Sequence, residues 1–506
     1  MRETLLSPTE WAHAELATTD LGDKRRTTRL VKLAAALAAN PSAGTLPSAL
    51  PQWADLKAAY RLLGGDAIDH AAVVAGHVAR VREGCLGGRW GECLLIEDTT
   101  SLDFTSHAAT DGLGRIGDDG GRGLFLHTTL AVSIQRWGTN GGDDDDDGDE
   151  PVVELVGLFD QRCWARPPRE AGRPATHGEP KRSRLRRPRE SQRWAACLDG
   201  LTTPPPPSPP ASPPPGSRGM LTLVADRESD IYETFQRCRG AGVGWILRAC
   251  QDRALDDDDD DEGGEGKRVF DAAAAAPVKC RRVTVDLRAR PGHKARRAVL
   301  QVRATAVTLR GPWRPGGWLG PQAMNVVEAR EVNPPRGTEP LRWVLLTSWP
   351  IASARDGRRV VRAYARRWLI EQYHKCLKTG CALERSQLAT ARALSALTGV
   401  LALVSLRLLD AMLLARARPD EPVTPRQLGP EALAALTAKF GPPAEGGGGG
   451  GGGGWTHRTS LRAIARLGGF LARTGDGEPG WQTIWRGWQR LIAMADGYSL
   501  AQQPRR

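Results

Sequence analysis

The sequence predicts a mixed α/β fold, with a β-rich centre between helical segments at both ends. Before Gly64 the apolar residues recur at helical spacing. From about Ala71 the pattern changes to short apolar runs typical of strands, and after Gly454 helical spacing returns. The 506 residues are enough for two or three such domains, each with a substantial core.

The charge balance favours a polyanionic partner. The net charge is +12 and the isoelectric point is about 9.5, although residues 143–150 and 256–265 hold seven and eight acidic residues. Such a basic excess favours nucleic acid over an anionic membrane. The nine cysteines lack zinc-site spacing and the amino-terminal residues lack the apolar stretch of a secretory signal. We therefore expect reduced, mostly buried thiols in a cytoplasmic protein, associated with the nucleoid if the host is a prokaryote.

Low-complexity segments interrupt the chain at four places, which are residues 143–150, 204–215 and 256–265 and the nine glycines Gly446–Gly454. Such segments cannot bury enough apolar surface to offset chain entropy, so we expect insertions or linkers between elements. The apolar stretch from Ala393 to Leu406 is too short to span a bilayer and continues into Arg407. It predicts a core helix.

The amino-terminal residues 1–70 predict a small basic helical domain. In "LGDKRRTTRLVKLAAALAANP" the apolar residues share one helix face and basic residues share the other. A second helix, "WADLKAAYRLLGG", ends at glycines, which commonly terminate helices. The basic face fits either an ordinary solvated surface or a DNA contact, and its candidate DNA-binding residues are Arg25, Arg26, Arg29 and Lys32.

Two predicted strands end in acidic residues. "ECLLIEDTTSLDF" is an apolar run ending in Glu97 and Asp98, and "MLTLVADRESDIYETF" is another ending in Asp226 before a helix. Open α/β sheets place their sites at the carboxyl ends of such strands, although a single aspartate is more often a helix cap or turn residue. The segments from "GVGWILRACQD" onward alternate like antiparallel strands, which predicts a β-rich insertion over about residues 250–348.

The segment "YARRWLIEQYHKCLKTG" places Tyr364, Arg367, Glu371 and Lys378 within a stripe roughly 60° wide on an ideal α-helix. One interpretation is a row facing a single ligand, and the other is a solvated face with Arg367 and Glu371 paired at i,i+4. Two strand aspartates and a helix glutamate together form the carboxylate set that a two-metal phosphoryl-transfer site requires.

The carboxyl-terminal segment predicts two helices joined by a Gly/Pro turn. Its tryptophans Trp481, Trp485 and Trp488 recur at i, i+4 and i+7. Such a stripe indicates a packed core or, in a small terminal domain, a subunit interface.

The segments that contain Asp98, Asp226 and Glu371 resemble the three catalytic blocks of IS4-family DDE transposases, and of the Tn5 transposase branch in particular. The third block fits the family signature Y-(2)-R-(3)-E-(6)-K at every spacing. The resemblance extends to the amino-terminal "LGDKRRTTRLVKLAAALA", to "VNPPRGTEPLRWVLLTSWPI", and to the carboxyl-terminal "AIARLGGF" and "WQTIWRGWQRL". It covers nearly the whole chain apart from the low-complexity runs.

The resemblance implies a role for each matching residue. Asp98, Asp226 and Glu371 would be the metal-binding carboxylates of a ribonuclease H-like core, holding two Mg²⁺ ions for which Mn²⁺ can substitute. The implied DNA contacts are Tyr364, Arg367, Lys378, Arg227 and Arg248, and Trp343 would stack on a base flipped out during hairpin formation. Cys250 stands where the family has a lysine, which removes one expected phosphate contact.

The resemblance also implies three domains: a helical DNA-binding domain (1–70), a catalytic domain (71–417) and a helical dimerisation domain (418–506). The implied activity is cut-and-paste transposition by a homodimer acting on double-stranded transposon ends and target DNA, without a membrane partner. One alternative is a catalytically impaired, transposase-derived DNA-binding regulator, although no carboxylate is lost. Another is a stand-alone nuclease, which would need neither the amino- nor the carboxyl-terminal segment.

Overall fold

The computed structural model describes residues 7–41, 43–117, 119–137, 151–168, 190–201, 221–256, 267–287, 295–443, 454–473, 476 and 478–502. The runs at 143–150 and 204–215, all but the first residue of 256–265, and all but the last glycine of Gly446–Gly454 lie outside the described residues. Their assignment as insertions or linkers therefore stays a prediction.

The mixed α/β prediction is confirmed. The strands are β1 Cys93–Asp103, β2 Gly114–Ile116, β3 Gly121–Arg136, β4 Val152–Trp164, β5 Leu221–Ala225, β6 Gly244–Arg248, β7 Val278–Leu287, β8 Arg296–Leu309, β9 Trp313–Arg314, β10 Gly317–Trp318, β11 Gln322–Glu331 and β12 Arg342–Thr347. A ten-stranded sheet has the order β2-β3-β1-β5-β6-β12-β11-β8-β7, and β4 pairs with β3 outside this path. The small strands β9 and β10 form a separate hairpin.

Helices precede, cover and follow this sheet. The described α-helices are Pro8–Leu16, Lys24–Ala39, Leu46–Ala49, Trp53–Leu63, His70–Leu86, Tyr232–Gly240, Val269–Ala275, Ala354–Ala365, Trp368–Lys375, Ala391–Ala417, Pro425–Leu428, Pro430–Phe440, His457–Leu467 and Trp481–Gln502. The helices predicted on either side of the sheet are thus present. The nine cysteines are unpaired, and most are buried, as expected.

The long helix Ala391–Ala417, the core helix, joins the three regions of the chain. It packs against amino-terminal helices, against β4 and against the carboxyl-terminal helix His457–Leu467. The helix has 27 residues, which is longer than the apolar stretch from Ala393 to Leu406 predicted. By length and composition it could cross a bilayer. In the structure, however, 89% of its most apolar 18-residue stretch is buried inside the protein, so the core-helix prediction is confirmed.

The β-rich insertion enlarges the central sheet. Strands β7, β8, β11 and β12 pair antiparallel with their neighbours, as the alternating pattern predicted. Strand β6 was wrongly grouped with them, because it pairs parallel with β5 and only its other edge is antiparallel, to β12. Periodicity reports which face of a strand is buried but not the direction of its neighbour.

The carboxyl-terminal tryptophan stripe packs within its own chain. Trp485 is buried and Trp488 is partly buried against the main core, and both line a small cavity with Leu408 and Met412 of the core helix. The core interpretation is therefore confirmed for Trp485 and Trp488. The Trp481 side chain lies outside what the structure describes.

Candidate nucleic-acid cleavage site

The two aspartates lie side by side on neighbouring parallel strands. The last parallel pair between β1 and β5 is Glu97 with Ala225, so Asp98 and Asp226 are the next residues on the two strands. The sequence suggested that the strand ends at Asp98, but β1 continues to Asp103 by pairing with β3. The parallel pairing alone ends there, and it leaves the two carboxylates at one edge.

Asp98 has an unusual electrostatic environment. Burial, together with the nearby carboxylates of Asp226 and Glu371, raises the pKa of Asp98 to about 7, although Arg367 and the Thr99 backbone N–H act in the opposite direction. The Thr99 N–H donates to Asp98 Oδ1 at 2.8 Å. Because three acidic groups influence one another here, the ionised forms repel and the site favours a bound cation.

Asp226 begins a short 3-10 segment, Arg227–Ser229, and its carboxylate caps that segment. Asp226 Oδ1 accepts a hydrogen bond from the Glu228 N–H at 2.9 Å. The cap holds the carboxylate at the end of β5, directly beside the exposed Arg227. The sequence interpretation of Asp226 as a helix cap and its interpretation as a site residue are thus compatible.

The segment that carries Glu371 is not one continuous α-helix. The predicted stripe of Tyr364, Arg367, Glu371 and Lys378, which assumed an ideal helix, was therefore wrong in its geometry. One helix ends at Ala365, a tight turn follows at Arg366 and Arg367, and the helix Trp368–Lys375, the site helix, begins afterwards. The turn is closed by i→i+3 bonds, including Arg367 N–H to the Tyr364 carbonyl at 2.9 Å. A π-helical turn over Cys376–Gly380 then shifts the register of Lys378.

Glu371 and Arg367 nevertheless meet. The Arg367 guanidinium contacts the Glu371 carboxylate as an i,i+4 ion pair. The Glu371 side chain is 57% exposed and the Arg367 side chain 20% exposed. The simple solvated-face interpretation accounts for this pair but not for the influence of both groups on the pKa of Asp98.

Three arginines gather around a buried tyrosine next to the carboxylates. Tyr364 is only 3% exposed, and its side chain interacts with the guanidinium groups of Arg248 and Arg367. Burial lowers the pKa of Arg248, and the positive charges of Arg227 and Arg367 add to that effect. Tyr364 thus holds two arginines in place, and a direct DNA contact by its own hydroxyl would require rearrangement.

Lys378 already has two partners within the chain. Its Nζ donates to the Ser101 carbonyl at 2.9 Å and lies 3.3 Å from Glu384 Oε1. Both partners bind it near the continuation of β1 past Asp98, because the Asp103 N–H also donates to Glu384. A phosphate contact by Lys378 would have to compete with these partners.

Trp343 lies near the start of β12 and is partly buried. Its ring meets the Tyr364 ring edge-on, with the centroids 5.0 Å apart. It therefore borders the arginine cluster and still has part of its surface open.

The structure does not group the three candidate carboxylates closely enough to hold a metal ion. Within the described residues no three His, Cys, Asp or Glu side chains are grouped closely enough to hold a metal ion. Glu371 is paired with Arg367. The donor chemistry fits Mg²⁺, since all three candidate ligands offer carboxylate oxygens and the acids on β1 and β5 are adjacent.

Sequence reasoning missed two residues near the carboxylates, His374 beside Asp98 and Arg193 beside Thr99. His374 lies one helical turn after Glu371, with its Nδ1 3.8 Å from Asp98 Oδ2, and its i+3 spacing from Glu371 was a usable signal. Burial lowers the pKa of His374 to about 3, with His127 and Lys378 contributing, so the imidazole is neutral. Arg193 donates to Thr99 Oγ1 at 2.9 Å, and nothing in its local pattern indicated this.

The amino-terminal basic face is only partly available. Arg25 and Arg29 are exposed on the helix Lys24–Ala39, and the residues that the structure describes provide no ion-pair partner for either. Arg26 donates to the Leu21 carbonyl at 3.1 Å, and Lys32 Nζ lies 2.7 Å from Asp55 Oδ1. The four predicted residues thus share one helix but differ in how readily they could contact DNA.

Three family models match the chain. A model described as transposase DNA-binding matches residues 8–68, one described as transposase DDE domain matches residues 216–407, and one described as transposase Tn5 dimerisation domain matches residues 456–504. Asp226, Arg227, Arg248, Trp343 and the site helix lie inside the DDE match, whereas Asp98 lies before it. The three matches follow the same order as the three domains expected from the sequence.

Proposed function

The chain belongs to the Tn5-like DDE transposases, and from that membership we propose that it catalyses cut-and-paste transposition of double-stranded DNA. The proposed steps are end binding, hydrolytic nicking, hairpin formation and opening, and strand transfer. The observation that carries the proposal is the adjacency of Asp98 and Asp226 on parallel strands. Burial is the largest cause of the raised pKa of Asp98, and the nearby carboxylates of Asp226 and Glu371 add to it. Each step is an in-line displacement at phosphorus, so one site can serve them all.

Asp98, Asp226 and Glu371 would hold the divalent ions, Mg²⁺ or Mn²⁺. Bound ions would activate the attacking oxygen and stabilise charge on the leaving oxygen. The protein's own part is to position these carboxylates. Thr99 N–H holds Asp98, Glu228 N–H holds Asp226, and Arg367 pairs with Glu371.

The arginine cluster would orient the DNA backbone beside these acids. Arg227, Arg248 and Arg367 provide guanidinium groups, which suit bidentate phosphate binding. A phosphate arriving at Arg367 would compete with Glu371 for the guanidinium group. We infer that DNA binding thereby frees Glu371 to join Asp98 and Asp226, so that the ligand set is completed when the substrate is bound.

The terminal domains supply recognition and assembly. The DNA-binding match covers the basic helix with Arg25 and Arg29, and the dimerisation match covers the last two helices. We propose that residues 8–68 read the transposon ends and that a homodimer brings two ends together. A protein acting on chromosomal DNA would lie in the cytoplasm, on the nucleoid in a prokaryote.

The test uses DNA that carries the inverted repeats flanking the coding sequence. With Mg²⁺ and the full-length protein, we expect nicks at the repeat ends, then hairpin-ended fragments, then excision. The matched control fragment has one repeat scrambled. End binding without any cutting would instead identify the DNA-binding regulator, and equal cutting of DNA lacking both repeats would identify a stand-alone nuclease.

Trp343 tests the hairpin step separately. If its open face supports a flipped base, Trp343→Ala should permit the first nick but accumulate nicked DNA, because stacking offsets the cost of extrusion, a few kcal/mol. Trp343→Phe keeps an aromatic face and should restore much of the hairpin product. Equal loss of nicking and hairpin formation, with a lower melting temperature, would mean that Trp343 only supports Tyr364.

A further inference from the structure

Behind Asp98 lies a continuous network of buried polar side chains. His70 Nε2 lies 3.0 Å from Gln161 Oε1, Gln161 Nε2 lies 2.8 Å from Thr128 Oγ1, and Thr128 Oγ1 lies 3.1 Å from His374 Nε2. The other nitrogen of His374, Nδ1, faces Asp98 Oδ2 at 3.8 Å. All of these residues except Asp98 are buried. The network thus runs from the helix His70–Leu86 through β4 and β3 to the site helix.

The direction of these hydrogen bonds follows from the orientation of the Gln161 amide, whose oxygen faces His70 and whose nitrogen faces Thr128 and Tyr373. The Gln161 amide nitrogen donates to both Thr128 Oγ1 and the Tyr373 hydroxyl, the latter at 3.0 Å, which uses both of its hydrogens. Its carbonyl oxygen accepts from His70 Nε2. The Tyr373 hydroxyl, which accepts from Gln161, donates in turn to the Ala402 carbonyl at 3.4 Å.

The Thr128 hydroxyl determines whether His374 Nε2 donates or accepts. Its hydroxyl oxygen accepts from Gln161, and among the described residues His374 Nε2 is the acceptor within reach of its single proton. If His374 instead donated from Nε2, the buried Thr128 proton would have no partner, which is costly. A neutral imidazole that accepts at Nε2 carries its proton on Nδ1, the atom that faces Asp98.

We propose that Thr128 and His374 are positioning residues for Asp98, with Thr128 selecting the Nδ1–H tautomer of His374 so that an N–H dipole faces the Asp98 carboxylate. The proposal rests on the proposed function in taking Asp98 as a metal ligand. At 3.8 Å the contact is longer than a hydrogen bond and orients the carboxylate electrostatically. Asp98 and Thr128 are also direct cross-strand partners, which gives the arrangement a rigid base.

The tautomer is measured without activity, by ¹⁵N NMR of histidine-labelled, metal-free full-length protein. The signal that disappears in His374→Gln identifies His374 among the nine histidines. We expect protonated Nδ1 and bare Nε2 in the parent and in Thr128→Ser, which keeps the hydroxyl. Thr128→Val, which keeps the shape but removes the hydroxyl, should lose the Nδ1–H preference. A parent His374 protonated on Nε2, alone or together with Nδ1, would overturn the inference.

A second measurement separates this inference from the proposed function. The Mn²⁺ concentration that gives half-maximal nicking should rise about 10-fold in Thr128→Val, as is typical when a partner of a metal ligand is lost, and return towards the parent value in Thr128→Ser. A change in melting temperature without a change in Mn²⁺ requirement would overturn the positioning role. A parent with the Nδ1–H tautomer that cuts no DNA would contradict the proposed function and leave the tautomer assignment standing.

Discussion

Asp98 and Asp103 lie on the same strand, yet their environments act on them in opposite directions. Burial raises the pKa of Asp98 to about 7, and Asp226 adds to that effect. Hydrogen bonds from the Thr105 side chain and backbone lower the pKa of Asp103, with Lys378 contributing. The two residues therefore form a matched pair for testing how the site is charged.

We predict that Asp98→Asn becomes increasingly stable relative to the parent as the pH rises from about 4 to about 7 in EDTA. The folded parent binds the Asp98 proton more tightly than the unfolded chain, whose aspartate pKa is about 3.9. The stability contributed by that proton is fully present below about pH 4 and is lost as the pH rises through about 7. Asparagine cannot ionise and avoids this loss. Urea-unfolding midpoints from pH 4 to pH 8 measure the difference.

Asp103→Asn is the control with the opposite sign. Because the folded pKa of Asp103 is lowered, its charge stabilises the protein above the unfolded pKa, and that contribution is lost as the pH falls. At pH 7 this variant should be less stable than the parent. A pH-independent effect of Asp98→Asn would contradict the repulsion inferred at the site.

Residue by residue, the candidate site was only partly predictable from the sequence. Apolar runs followed by acids identified Asp98 and Asp226, because burial of a strand is visible in its composition. The turn at Arg366 and Arg367 and the π-helical turn over Cys376–Gly380 were not predictable, because helical spacing continues through both, and the π-helical turn packs against the core helix and the last helix, which are distant in sequence. Lys378 illustrates this, because its partners Ser101 and Glu384 are set by the fold.

At the scale of elements, the last two helices cross at a glycine contact. A Cβ added to Gly487 would lie 1.6 Å from the Ile464 carbonyl oxygen and 3.0 Å from the Gly468 nitrogen. The helices His457–Leu467 and Trp481–Gln502 can therefore approach this closely only where a side chain is missing. The Trp485 and Trp488 rings then reach the core helix.

We predict that Gly487→Ala destabilises the carboxyl-terminal helix pair by about 1–3 kcal/mol, because the backbones must separate. Gly497→Ala, on the same helix but with no described atom within 4 Å of the added Cβ, should be neutral or stabilise by up to about 1 kcal/mol. Urea unfolding and limited proteolysis compare the two variants. If both behaved alike, the close crossing would not exist in solution.

The amino-terminal helix allows a second comparison between neighbouring residues. Arg25→Ala should make the logarithmic salt dependence of DNA binding shallower by about 0.9 if one phosphate contact is lost. Lys32→Ala should change it less, because Asp55 already engages that ammonium group at 2.7 Å. The slopes come from end binding across a salt series. A larger effect of Lys32→Ala than of Arg25→Ala would contradict the prediction that Arg25 contacts DNA phosphate more readily than Lys32.

At the scale of the whole molecule, the sequence predicted the classes of element better than their connections. The mixed α/β class and the flanking helices were predicted from periodicity, which reports local burial. The pairing of β6 was not, because strand direction depends on the order of strands across the sheet. The same applies to the core helix, whose contacts with all three regions arise only in the folded chain.

The central claim is that Glu371 joins Asp98 and Asp226 as a metal ligand although it is paired with Arg367 in the structure. The most direct measurement compares Mg²⁺-dependent nicking and binding of one labelled end fragment by the parent, Glu371→Ala and Glu228→Ala. Glu228 is an exposed acid beside Asp226 that we assign no metal, and its carboxylate lies 3.0 Å from Arg193, so its loss removes one nearby charge and one ion pair but no metal ligand. We predict that Glu371→Ala lowers nicking by orders of magnitude while binding persists or tightens, as carboxylate–phosphate repulsion is relieved, and that Glu228→Ala still cuts. Nicking by Glu371→Ala at the parent rate would contradict the claim and leave the Arg367–Glu371 pair as an ordinary ion pair on a solvated helix face.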